Sequence, residues 1–142
     1  MLTVACIVKD WEKAKDIIIK RPHEIYTSKI KYGYTPAYWA SFYNNVTMLN
    51  HMLRTIESFN VTDEPREQIL RDTFERGSDD GYTPAHAAAR AGNIESLEFL
   101  VQNCPSGNMV LKTKTKKGIT PAHSATYYGK QDALDFIMHA TP

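Results

Sequence analysis

The chain has 142 residues and a mass of 16.1 kDa, enough for one domain or about four short repeats. Hydrophobic residues make up 42% and charged residues 23%, which excludes a disordered tail, a collagen-like fibre and a polytopic membrane protein. The formal net charge of +1 gives no global electrostatic drive toward nucleic acid or a membrane.

Along the chain, the apolar start Met1 to Val8 is only eight residues long and runs into a charged cluster from Lys9 to Lys15. With no basic segment before it and no clear cleavage site, it is not read as a signal peptide. No apolar run approaches the roughly 18–20 residues that span a bilayer. From residue 33 a template recurs: Gly33-Tyr34-Thr35-Pro36-Ala37-Tyr38-Trp39-Ala40, then Gly81-Tyr82-Thr83-Pro84-Ala85-His86-Ala87-Ala88, then Gly118-Ile119-Thr120-Pro121-Ala122-His123-Ser124-Ala125. Nine residues after each Thr stands Asn44, Gly92 or Gly129, followed by an amphipathic run over Val46–Ile56, Ile94–Val101 or Gln131–His139.

The physics of the template is helix–turn–helix. Thr caps a helix because its hydroxyl accepts an otherwise unpaired backbone N–H. Pro suits the first helical position, where its missing donor costs nothing. Gly92 and Gly129 permit the left-handed residue that ends a short helix, with Asn44 as the next best choice. The second helices carry apolar faces: Leu97, Leu100 and Val101 in one, Leu134, Ile137 and Met138 in another. A fainter copy at the N-terminus aligns Ala5 with Ala88 and Lys9-Asp10 with Gly92-Asn93, and lacks the Thr-Pro start. Between the first two templates, residues 57–78 form an excess segment. It is expected to hold its own short helix, with Ile69, Leu70 and Phe74 on one face, Asp63 as its cap and Pro65 in its first turn.

The pattern Gly-x-Thr-Pro-Ala-His-x-Ala-x-x-x-Gly-x-x-Glu-x-Leu resembles the ankyrin repeat. The resemblance covers nearly the whole chain and is strongest over 81–104. It departs from the family in having Ala for the usual Leu in all three templates and Tyr38 for His. It implies an all-α solenoid of about four helix-turn-helix repeats with one elongated inter-repeat insertion. The expected organisation is a single domain over 1–142, with repeats at about 1–31, 32–56, 79–111 and 116–142 and the insertion at 57–78. Insertions of this kind tend to project from one face of a solenoid, often the binding face. In the family the template His ties neighbouring repeats together, so the resemblance gives His86 and His123 a structural role rather than a catalytic one.

Other chemistry is sparse. Cys6 and Cys104 lie far apart with no Cys-x-x-Cys or Cys/His cluster, so two buried free thiols in a reducing, cytoplasmic compartment are expected and zinc is not. His23, His51 and His139 share no metal-ligand spacing with a carboxylate. Asp79-Asp80-Gly81 lacks the downstream acidic ligand of a calcium loop. No phosphate loop and no Gly-x-Ser-x-Gly occurs. The expectation is a protein with no catalytic residues, no metal and no cofactor. A basic loop of Lys112, Lys114, Lys116 and Lys117 is read as a solvated hairpin tip rather than a nucleic-acid site.

In ankyrin proteins partner contacts commonly come from the turn entering the first helix and from that helix's exposed end. Carried onto this sequence, those positions are Lys31, Tyr32, Tyr34, Phe42 and Tyr43 in the second repeat. They are Asp79, Asp80, Tyr82, Arg90 and Ala91 in the third, and Lys116, Lys117, Ile119, Tyr127 and Tyr128 in the fourth. The set is rich in aromatic residues, which are favoured interface anchors. Trp39, inside the first helix of its repeat, is expected to be buried, filling volume left by Ala37.

Charge is segregated: residues 1–31 balance at +3, residues 57–81 at −5 and residues 112–117 at +4. That distribution predicts a protein partner with a basic or mixed-charge segment, and neither nucleic acid nor membrane. The last helix keeps the apolar pattern of an internal repeat, so further repeats or domains beyond Pro142, or another chain against that face, are expected. A second function fits the same residues: the recognition arm of a larger enzyme or bacterial effector, acting in a host-cell cytosol, with its catalytic domain outside this chain.

Overall fold

The computed structural model describes residues 1–141, and Pro142, with the expectation attached to it, lies outside the described residues. Among the described residues there are ten α-helices and no strand. They are α1 (Leu2–Ile7), α2 (Trp11–Lys20), α3 (Glu24–Thr27), α4 (Pro36–Phe42), α5 (Val46–Glu57), α6 (Asp63–Phe74), α7 (Pro84–Ala91), α8 (Ile94–Asn103), α9 (Pro121–Tyr127) and α10 (Gln131–Ala140). Four antiparallel pairs, α1/α2, α4/α5, α7/α8 and α9/α10, stack side by side. The inner helices α1, α4, α7 and α9 make one row, and α2, α5, α8 and α10 make the outer row. This is an all-α repeat solenoid.

One backbone device turns the chain between the helices of all four pairs. Lys9, Asn44, Gly92 and Gly129 sit at φ of 60°, 55°, 76° and 69°. The next N–H in each case, from Asp10, Asn45, Asn93 and Lys130, donates to the carbonyl of Ala5, Ala40, Ala88 and Ala125 at 2.8–2.9 Å. These are the helix-ending bonds of a left-handed cap. Lys9 holds that conformation without the glycine that tolerates it, at a strain of about 1 kcal/mol.

The Thr-Pro starts behave as their chemistry dictates. Thr35, Thr83 and Thr120 accept from the backbone N–H of Tyr38, His86 and His123. The N-terminal pair has no such start, and α3 supplies its cap instead. Ser28 Oγ accepts from the Thr3 N–H at 3.1 Å, and Glu24 Oε1 accepts from the Leu2 N–H at 3.0 Å. Burial alone would raise the Glu24 carboxyl; the Leu2 N–H, Arg21 and the N-terminal amine outweigh it and hold the group below its usual range.

The 57–78 segment contains α6, with two corrections. Thr62 stands at its N-cap without a side-chain cap bond, and Asp63 is the first helical residue rather than the cap. The helix also does not project. Phe74 is 1% exposed and packs edge-on against Phe99 of α8. Ile69 and Leu70 are half-buried against the same core. Burying that ring stabilises by about 2 kcal/mol, so α6 is a wedge against the stack rather than a free loop.

Leu97, Leu100 and Ile137 occupy the core as their spacing requires. Leu134 and Val101 are half-buried, and Met138, expected on the apolar face, is 57% exposed. Met138 lies on the part of α10 that no described element covers.

Candidate functional site: a tyrosine-lined concave groove

The turn before each Thr-Pro forms a finger. In each, one residue donates across the turn: Ile30 N–H to Tyr34 O at 3.2 Å, Ser78 N–H to Tyr82 O at 2.9 Å and Thr115 N–H to Ile119 O at 2.9 Å. Neighbouring fingers are laced together by Asp79 N–H to Tyr32 O at 2.8 Å and Lys116 N–H to Asp80 O at 2.9 Å. The template His adds a side-chain bond. Thr83 N–H donates to His86 Nδ1 at 3.2 Å, which leaves the proton on Nε2, and Nε2 donates to Ile119 O of the next finger at 2.8 Å. Burial lowers the His86 pKa, with the Ile119 carbonyl opposing it. Through its Nε2 bond the ring rivets one finger to the next.

Between the fingers and the inner helices lies a groove of about 470 Å³. Six of the sequence-predicted residues line it: Tyr34, Tyr82, Arg90, Ile119, Tyr127 and Tyr128. Tyr127 is 83% exposed and its ring packs edge-on against Tyr128. Tyr82 is half-buried, edge-on to the His86 ring. The Arg90 guanidinium sits 4.6 Å from the Tyr128 ring centre and 5.9 Å from that of Phe42.

The remaining predicted residues go elsewhere. Lys31, Tyr32, Asp79, Asp80, Lys116 and Lys117 are exposed on the fingers. Tyr32 holds a left-handed φ of 71° with its ring 61% exposed under the Lys31 ammonium. Ala91 is half-buried at the end of α7. Phe42 and Tyr43 are half-buried in a ring cluster centred on Trp39, which also touches Tyr34 and Tyr38. Tyr43 is chiefly a strut: its hydroxyl donates to Ile7 O at 3.0 Å, and its ring meets Trp11 and the Lys9 ammonium. Trp39 itself is half-buried rather than buried, its indole lying among these rings.

Sequence reasoning missed four groove residues: Tyr38, His86, His123 and Ser124. Tyr38 occupies the His position of the template, which was the available signal. Burial and the neighbouring Tyr34 push its hydroxyl up to about 12, while Arg90 pulls the other way. Of the acidic segment 57–81, no residue of α6 lines the groove, while Asp79 and Asp80 stand exposed on a finger. Both thiols are free and buried, and burial pushes Cys6 up to about 12 and Cys104 higher still, away from nucleophilic reactivity. Among the described residues no three His, Cys, Asp or Glu side chains gather to hold a metal, and no helix is long and apolar enough to cross a membrane.

A family model described as ankyrin repeats (3 copies) matches residues 65–141, more than half of the chain. The chain belongs to the ankyrin repeat family. Among solved structures, a chain in the crystal structure of the yeast ribosomal protein Rps3 in complex with its chaperone Yar1 superimposes with a TM-score of 0.78. That match covers 97% of this chain and 89% of the other, at 17% sequence identity. No curated protein matches the sequence. The family match opens at residue 65, inside α6, so it takes in most of that helix as well as the two His-bearing templates. In this ankyrin-repeat protein the laced fingers and the inner row are the frame on which the tyrosines stand, and the fold is that of a protein–protein interaction module.

Proposed function

We propose that the chain is a non-catalytic recognition domain that holds a segment of a partner protein in the tyrosine-lined groove. The observation that carries this is the exposure of Tyr127 and Tyr128 at the edge of a concave surface whose frame is fixed without them. Rings cost solubility at such positions unless a partner covers them, and Tyr supplies a rigid amphipathic contact when one does. The finger charges Lys31, Asp79–Asp80 and Lys116–Lys117 alternate in sign along the ladder and would register a mixed-charge segment. The repeat boundaries we assign are about 1–31, 32–56, 79–111 and 116–142, with 57–78 as the insertion. Two buried free thiols fit a reducing, cytosolic setting.

The test is selection of binders from displayed natural protein fragments, followed by the pair Tyr127→Ala with Tyr128→Ala. Affinity is expected to fall at least about tenfold with the melting temperature nearly unchanged. Equal affinity for the wild type and the pair would remove the groove from the account. Tyr82 is a poorer probe, since its ring also packs on His86.

A further inference from the structure

The charge inside the groove is of one kind. None of its lining residues is Asp or Glu, and its full cation, Arg90, is exposed and makes no ion pair among the described residues. Arg90 stands at the end of α7, the middle of the three inner helices that line the groove. Its guanidinium is flanked by Phe42 from α4 and Tyr128 just past α9. Two rings from neighbouring repeats therefore steady a charged fork at the centre of the concave face.

We propose that the groove recognises an extended peptide segment that presents an Asp or Glu carboxylate to Arg90. This rests on the groove being the docking surface. The guanidinium presents paired N–H donors in a plane, the geometry that a carboxylate accepts two at a time. Flanking rings lower the entropy lost on binding, because the fork is partly ordered before the ligand arrives. A basic side chain at this point would be desolvated beside an unpaired like charge, so the groove's interior discriminates against it. The segment's other charges face the fingers, where Asp79 and Asp80 accept cations. The partner sequence is then mixed in sign, with its acidic residue at the centre.

The experiment uses the full chain and a displayed library of short random peptides. Wild type is expected to enrich peptides with Asp or Glu at one position. Synthetic versions of those peptides should lose about ten- to a hundredfold in affinity against Arg90→Ala. A parallel selection on Arg90→Glu should invert the preference at that position to Lys or Arg. Melting curves establish that each variant is folded, and Arg90→Lys, which keeps the charge but not the fork, serves as a milder variant if Arg90→Glu is not. Peptides that bind wild type and are lost with Tyr127→Ala/Tyr128→Ala, yet show no acidic preference, would overturn this inference and leave the groove reading standing. Peptides equally tight for Arg90→Ala would do the same. Selection of no peptide at all would overturn both.

Discussion

The two halves of the ladder reach one backbone by different residues. In the C-terminal half, Gly92 and Gly129 end the inner helices, and His86 and His123 complete reciprocal caps with Thr83 and Thr120. In the N-terminal half, Lys9 and Asn44 end the inner helices, and Tyr38 stands where His would be. No ring nitrogen is available there to reach the next finger. The fingers are joined there by the backbone bond from Asp79 N–H to Tyr32 O alone, and a side-chain link forms instead between the end of α4 and the start of α8: Asn93 Nδ2 donates to Ser41 O at 2.9 Å and Phe42 O at 2.7 Å, and Ser96 Oγ donates to Asn44 Oδ1 at 2.8 Å. The comparison teaches that the fold fixes where a turn must be left-handed and where neighbours must be pinned. It leaves open which side chain does the pinning.

Each half can be broken at its own pins. The largest effect is expected at Gly81, where an added Cβ would lie 2.9 Å from the Thr115 Cα of the next finger at a φ of +95°. Gly81→Ala should cost about 3 kcal/mol, whereas Gly118→Ala, at a similar φ but facing open space, should cost about 1 kcal/mol. Denaturant unfolding of both variants measures the gap, and equal losses would mean the fingers are not laced as described. Next, His86→Ala removes a cap and an inter-finger bond and should cost about 2 kcal/mol. His123→Ala removes a cap alone and should cost about 1 kcal/mol.

In the N-terminal half, Tyr43→Phe deletes only the hydroxyl bonded to Ile7 and should cost about 1 kcal/mol by the same measurement. A value near zero would make Tyr43 available to a partner rather than to α1. The smallest effect is proton-linked. Because the His86 pKa is lowered on folding, the folded state binds fewer protons than the unfolded one just below the ordinary histidine value. That share of stability is fully present above about pH 6.5 and is lost as the pH falls toward the folded value. The slope of stability against pH between pH 7 and 5 should flatten in His86→Ala and stay put in Tyr43→Phe.

Much of the ladder was legible because it is local chemistry. Thr-Pro starts, left-handed ends and the spacing of Leu97 and Leu100 are each set by a few neighbouring residues. The N-terminal pair was legible from Ala5 and Lys9 even without its cap, since the cap comes from Ser28 and Glu24, distant in sequence. What could not be read was set by long-range packing. Nothing in the sequence around Phe74 says that it meets Phe99, so the segment carrying it looked like a projection rather than a wedge. Within the candidate site, the residue before each template Thr (Tyr34, Tyr82 and Ile119) lines the groove, while the other turn positions lie exposed on the fingers. Positions at the helix ends divided, Arg90 and Tyr128 facing the groove and Tyr43 turning to α1, because ring-on-ring packing decided their direction.

The central claim is that the concave face, not the outer helices, is where this protein meets its partner. The direct measurement is backbone amide chemical-shift mapping of the folded chain titrated with a peptide selected on it. Perturbations confined to α4, α7, α9 and the fingers, greatest around Arg90 and Tyr128, are the predicted result. Perturbations clustered on α2, α5, α8 and α10 with the groove silent would contradict it.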